Sequence, residues 1–165
     1  MDRRSFIAFL GTGISSLMLP IGASAKEIGS SKLSSYPTFA EGDLIEVIDG
    51  VVPLETIESC AGKASIYSSS GNKFGWSVSL QSRFGSFKFT GTITVYAIDD
   101  SEGGEVYFGS YPVKGSSTAG NSAAGTIAPN LTRGFTYVAY LSGTAVGTNG
   151  SAAVAPGLKT YKSYY

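Results

Sequence analysis

From residue 63 onward the apolar positions of this chain recur at every second residue. Ala64, Ile66 and Ser68 alternate with Ser65, Tyr67 and Ser69, and Ser70-Gly71-Asn72-Lys73 supplies turn residues before the next run, 74–80. In that run Phe74, Trp76, Val78 and Leu80 share one face. The clearest element spans 84–98, where Phe87, Phe89, Ile93, Val95 and Ala97 line one side and Lys88, Thr90, Thr92, Thr94 and Tyr96 the other. Such alternation predicts a strand with one side on a core and one side in water. Gly91 interrupts the inward row and predicts a bulge or a bend that lets a long strand curve.

Other segments are shorter. Residues 43–49 form an apolar run between Gly42 and Gly50, which suits a buried strand. After Pro53, Leu54, Ile57 and Ala61 fall at helical spacing, so 51–60 admits a helix of one or two turns. An acidic turn, 99–104, joins the long strand to 105–113 as a hairpin. Residues 114–125, mostly Gly, Ser, Thr, Ala and Asn, read as a long flexible connection. A strand at 135–141 follows, then a hairpin turn at 148–151 leading into 152–158. Seven or eight short strands predict an all-β fold with at most one short helix. Its expected form is an antiparallel β-sandwich, immunoglobulin-like or jelly-roll-like, or else a small barrel.

The first 25 residues follow a different rule. A basic start at Arg3-Arg4, an apolar segment from Phe6 to Ile21 and the small residues Ala23-Ser24-Ala25 have the order of a signal peptide, with Lys26 as the mature N-terminus. Arg3-Arg4-Ser5-Phe6-Ile7 resembles the twin-arginine export signal, whose carrier moves folded proteins. Gly11, Gly13 and Gly22 fit that resemblance; a general-secretory signal with adjacent arginines is the alternative. Pro20 and the Gly, Ser and Thr residues within the apolar run argue against an anchor, which needs about 20 apolar residues. The expected organisation is therefore a signal at 1–25, a flexible leader at 26–42 docking near Tyr36, and a single domain at 43–165. The destination is periplasmic or extracellular.

Composition then narrows the chemistry. The chain has no histidine, which excludes Ser-His-Asp triads, Cys-His dyads and ordinary zinc or copper sites. Cys60 is the sole cysteine, so no intrachain disulfide forms; it reads as a small buried hydrophobe, with pairing between chains as the alternative. Twelve basic and twelve acidic residues, three of them within the signal, leave the mature chain near neutrality. No Lys/Arg cluster offers a nucleic-acid surface.

Two groups of residues remain as candidates. Asp99, Asp100, Glu102 and Glu105 place four carboxylates within seven residues, the oxygen-ligand chemistry of Ca²⁺, although the spacing is not that of an EF-hand and a solvated acidic turn is the favoured reading. Tyr96, Tyr107, Tyr111, Tyr137 and Tyr140 offer amphipathic rings for a sugar, a membrane interface or a protein. Tyr161, Tyr164 and Tyr165 form an aromatic tail that predicts a tied-down C-terminus, as a final strand or as a segment pairing with another subunit. An outer-membrane barrel is disfavoured, since few segments reach the ~10 alternating residues of a membrane strand.

The primary reading is an exported, non-enzymatic β-protein acting by binding or assembly through a strand edge or a tyrosine-bearing face, with a protein, a second copy or a glycan as partner. The alternative is a secreted membrane-active protein or toxin. A histidine-free carbohydrate-active enzyme, using two carboxylates, is third.

Overall fold

The strands lie where branched and aromatic residues alternate with small or hydroxylated ones, as pleated, half-buried surfaces require. The computed structural model describes residues 36–47, 60–99, 101, 103–118 and 120–165. Nine strands appear among them: β1 (Phe39–Val47), β2 (Cys60–Ser68), β3 (Phe74–Leu80), β4 (Phe87–Asp99), β5 (Gly104–Ser117), β6 (Ser122–Ile127), β7 (Phe135–Gly147), β8 (Gly150–Val154) and β9 (Lys159–Tyr164). A single 3₁₀ turn, Ser82–Phe84, precedes β4. Segment 51–59, which holds most of the stretch that admits a short helix, lies outside the described residues, as does 1–35 with the signal and most of the leader.

All pairings are antiparallel and join the strands into one sheet, in the order β5-β4-β7-β8-β1-β2-β3-β6, with β9 also on β7. The all-β antiparallel class thus holds. The sheet is nearly barrel-shaped, and the pairing does not divide it into two separate sheets. One edge of β7 is shared in sequence: Phe135–Tyr140 pairs with β9 and Thr144–Gly147 with β8. Where the two short strands meet, Leu141 N–H donates to Leu158 O at 3.0 Å. The aromatic tail is accordingly the last strand of its own domain, through Tyr164.

The inward rows match the alternation. Phe74, Trp76, Val78 and Leu80 of β3 and Phe87, Phe89, Ile93 and Val95 of β4 are all buried, with the Trp76 and Phe89 rings 5.3 Å apart. Gly91 departs from expectation. The register of β4 runs unbroken past it, and a Cβ there would lie 2.4 Å from Ser142 O and 2.7 Å from Phe89 Cζ. Its hydrogen lets the β4 and β7 backbones and the Phe89 ring approach. The irregularity sits instead between Val95 and Tyr96, opposite Gly109 and Tyr107, so Phe108 is the bulged residue.

Three further boundaries differ. β1 starts at Phe39, four residues before the expected Asp43, because Phe39–Gly42 continue the ladder opposite Tyr67–Ala64. Only Leu44 of that strand is fully buried, whereas a wholly buried run was expected. The Gly/Ser-rich segment 114–125 is mostly strand, with 118–121 alone connecting β5 to β6. Its small residues make room for Trp76: a Cβ on Gly115 would lie 2.9 Å from Trp76 Cη2, and one on Gly125 3.0 Å from Nε1. Trp76 thereby fills the space under the seam where the two ends of the sheet approach. Cys60 is half-buried, its thiol directed to Gly62 O at 3.1 Å.

Candidate functional site

Strand register carries four tyrosines onto one surface. Tyr107 of β5 lies opposite Tyr96 of β4, Tyr96 opposite Val138 of β7, and Val138 opposite Tyr161 of β9, which makes one row across four strands. The adjacent row is Ser110, Thr94, Tyr140 and Lys159. These residues point away from the core row Phe87–Val95, so the surface is the outer face of β5-β4-β7-β9. Val138 is 0% exposed although it belongs to that face. Its neighbours in register, Tyr96 and Tyr161, flank it on both sides.

The rings meet edge to face. Tyr96 stands 5.9 Å from Tyr107 at 77° and 5.7 Å from Tyr140 at 87°, the geometry that brings a ring's positive edge to a neighbour's negative face. Tyr107 is 61% exposed and is the open member; Tyr96, Tyr140 and Tyr161 are half-buried. Polar groups fix the set. Tyr140 O–H reaches both Glu105 carboxylate oxygens, at 2.7 and 3.0 Å, and Lys159 Nζ donates to the same phenol at 3.3 Å. That ammonium also lies over the Tyr140 and Tyr161 rings, 5.3 and 5.6 Å from their centroids. Tyr107 O–H donates to Ser110 Oγ at 3.2 Å.

The electrostatics agree with this direction of donation. Partial burial, and then the Glu105 acceptor, raise the Tyr140 pKa, while hydrogen bonds to Tyr161 and Tyr140 raise that of Lys159. At neutral pH the phenol keeps its proton and the ammonium its charge. The chain Lys159–Tyr140–Glu105 is therefore a neutral, internally satisfied strut, which can hold rings in place. It contains no activated nucleophile.

The other tyrosines singled out in the sequence fall elsewhere. Tyr137 is 1% exposed in the core, where its hydroxyl donates to Thr132 O and accepts from Thr132 N. Its position in β7 has the parity of Ala139 and Leu141, which face inward. Tyr111 is packed partly against the core beside Gly109, and burial raises its pKa. Tyr164 also packs on the core, with Arg133 Cζ 5.9 Å from its ring, and Tyr165 is exposed at the end of the chain.

The acidic turn is divided. Asp99 accepts from Ser101 N and Oγ at 2.9 and 2.5 Å, and Glu105 is turned to Tyr140. Asp100 and Glu102 lie outside the described residues. Among the described residues no three His, Cys, Asp or Glu side chains converge as a metal site would need.

Two lysines escaped the sequence reading. Lys159 could have been placed from the alternation of β9, which sets Lys159, Tyr161 and Ser163 on one face. Lys162 follows the opposite row and is buried: its ammonium donates to Ser68 Oγ and Ser69 O, and burial lowers its pKa. A charge aimed inward has no signal in a pattern that assigns Lys to water.

Next to the tyrosine row, Val106 and Phe135, 57% and 48% exposed, line an open cleft of about 500 Å³ with Ala97 and Ile98. No family model, no curated protein and no solved structure matches this chain.

Proposed function

We propose that the protein is exported and acts without catalysis, by binding a partner outside the cytoplasm through the outer face of β5-β4-β7-β9. The observation that carries this reading is the gathering of Tyr96, Tyr107, Tyr140 and Tyr161 from four strands onto one surface, braced by Lys159 and Glu105. Tyrosines in this setting give large contact area at little entropic cost. The strut supports the reading because rings held in place before contact lose less freedom on binding. The perpendicular rings leave no flat platform, which suits an irregular protein surface or a single sugar ring better than an extended planar array. A flattened barrel serves this role as a β-sandwich would, with β5-β4-β7-β9 as one layer and β1-β2-β3-β6 as the other.

Glycan arrays and immobilised envelope proteins, probed with labelled protein, test the reading. Retained binding by the wild type and its loss in Tyr107→Ala, at an unchanged melting midpoint, is the expected result. Binding that survives both Tyr107→Ala and Lys159→Ala would place the contact elsewhere.

A second reading, membrane contact, is favoured by exposed Val106 and Phe135 beside the cleft. Leakage from anionic vesicles that is lost in Phe135→Ser would select it over the first.

A further inference from the structure

The far end of the same outer face carries charge. Lys88 of β4 stands opposite Ser116 on β5 and Val146 on β7, while Lys114 of β5 stands opposite Thr90, which pairs with Thr144. The two lysines are thus diagonal neighbours on adjacent antiparallel strands, ~7–8 Å apart at the backbone. Both are exposed, and neither ammonium has an ion-pair or hydrogen-bond partner among the described residues. Continued onto β8, their rows add Ser151 and Ala153, so neither row holds a carboxylate. Both lysines line an open cleft of about 320 Å³, together with Thr90 and Ser116.

Lysines on strands commonly guard an open edge. These two do not serve that purpose. β4 is an interior strand between β5 and β7, and beside Lys114 the edge of β5 is met by β6, where a Cβ on Gly115 would lie 3.0 Å from that of Ala123. Side by side and uncompensated, two ammoniums repel each other and weaken the sheet slightly until an anion sits on both.

From Lys88 to Tyr96, β4 extends about 27 Å at ~3.4 Å per residue. Between the charged end and the aromatic end the face is a lane of hydroxyls, from Thr90, Thr92, Thr94, Ser110, Ser142 and Thr144. Each hydroxyl both donates and accepts, which suits a polyol.

We infer that Lys88 and Lys114 form the subsite for a carboxylate or sulfate group of an acidic glycan whose chain lies along β4 toward the tyrosines. The inference rests on the binding role proposed above for this face and names its ligand class. The ammoniums answer the anion, the lane answers the sugar hydroxyls, and the Tyr107 ring answers an apolar sugar face. An anionic lipid surface would gain nothing from the hydroxyl lane. The lysines lie far apart in the chain, and only the β4–β5 register makes them a pair.

Titration calorimetry of the full chain with oligogalacturonate and with heparin fragments tests this, with methyl-esterified oligogalacturonate and desulfated heparin as neutral counterparts. One acidic probe should bind, more weakly as salt rises, and its neutral counterpart should bind about tenfold more weakly or not at all. The double variant Lys88→Gln, Lys114→Gln should lose about tenfold or more in affinity and most of the salt dependence, at an unchanged melting midpoint. Failure of both acidic probes to bind overturns the inference, as does a neutral counterpart that binds equally well. A folded double variant that binds like the wild type overturns it too. Capture by phosphatidylglycerol vesicles without binding of either glycan would assign the lysines to a lipid surface and overturn it. Tyr107→Ala separates the two readings. Loss in the lysine variant with retention in Tyr107→Ala keeps the anion subsite and removes the tyrosine contact, whereas the reverse pattern keeps the tyrosine contact and overturns the subsite.

Discussion

The two outer faces of this sheet are built from the same pleat and have opposite characters. On β1-β2-β3 the outward rows are mostly small or charged: Lys63 pairs with Asp43 at 2.8 Å and approaches Glu41 at 3.8 Å, Ser65 and Ser77 share a hydrogen bond at 2.9 Å, Tyr67 lies flat enough over Gly75 that a Cβ there would sit 2.3 Å from its ring, and Phe39, opposite Tyr67 in register, is 57% exposed. That face spends its polar groups on itself, and its two rings, Tyr67 and Phe39, stand opposite each other on β2 and β1 with no charged strut beneath them. On β5-β4-β7-β9 four rings crowd together and one, Tyr107, is left 61% exposed. A sheet needs neither the crowding nor the exposure for stability, since aromatic pairs add about 0.5–1.5 kcal/mol beyond burial. The difference is one of number and bracing: two rings opposite each other on one face, four rings from four strands tied by Lys159 and Glu105 on the other.

Changes in the shared interior test that distinction most severely. Phe89 packs on Trp76 between the two halves, and Phe89→Ala should cost about 3–5 kcal/mol in denaturant unfolding, out of the ~5–15 kcal/mol that holds such a domain. An unchanged midpoint would mean that the halves do not share a core. Gly115→Val should come next, at about 1–3 kcal/mol, because its Cβ would press on Trp76 Cη2 and the Ala123 methyl. If it is neutral, the seam between β5 and β6 has slack.

Lys162 joins the halves, reaching from β9 to Ser68 and Ser69 beside β2, and its effect depends on pH. Burial holds its folded pKa below the ordinary lysine value of 10.5, so between the folded and unfolded pKa values the unfolded chain binds more protons. The stability of the wild type relative to Lys162→Met should therefore rise as pH climbs toward 10.5. Thermal melts of both proteins at stepped alkaline pH would show it; a flat or falling difference would mean the ammonium is solvated. The smallest effect belongs to the β1-β2-β3 face. Lys63→Ala removes an exposed ion pair, and its melting midpoint should match the wild type, since such pairs contribute little.

Much of the fold could be read from the period of two, because burial on one side is a local property of each strand. Phe74 to Leu80 and Phe87 to Val95 declared their inward faces without any knowledge of their neighbours. Segment 114–125 did not, since glycines that admit an indole look the same as glycines in a loop until Trp76 is placed against them. The tyrosine face was half legible. Tyr96 and Tyr140 sit on alternating strands where parity points outward, but Tyr137 was grouped with them against its own parity, and Val138, an apolar residue on the outer face, blurred the pattern. Lys159 and Glu105 lie far apart in the chain, and only the β4–β7–β9 pairing brings them to one phenol. Such a meeting depends on strand order, which no local pattern carries.

Trp76 is the chain's one tryptophan, 2% exposed and enclosed by Phe89, Gly115, Gly125 and Ala123 at the seam where the sheet's two ends come together. The protein consequently carries its own optical gauge of closure. An indole in this dry enclosure emits toward the blue, and parting of β5 from β6 would admit water and shift the emission to the red, before β3 or β4 loses a single ladder bond. Intrinsic fluorescence, set beside far-ultraviolet circular dichroism on one sample, would then separate the unlatching of the barrel from the unfolding of its strands.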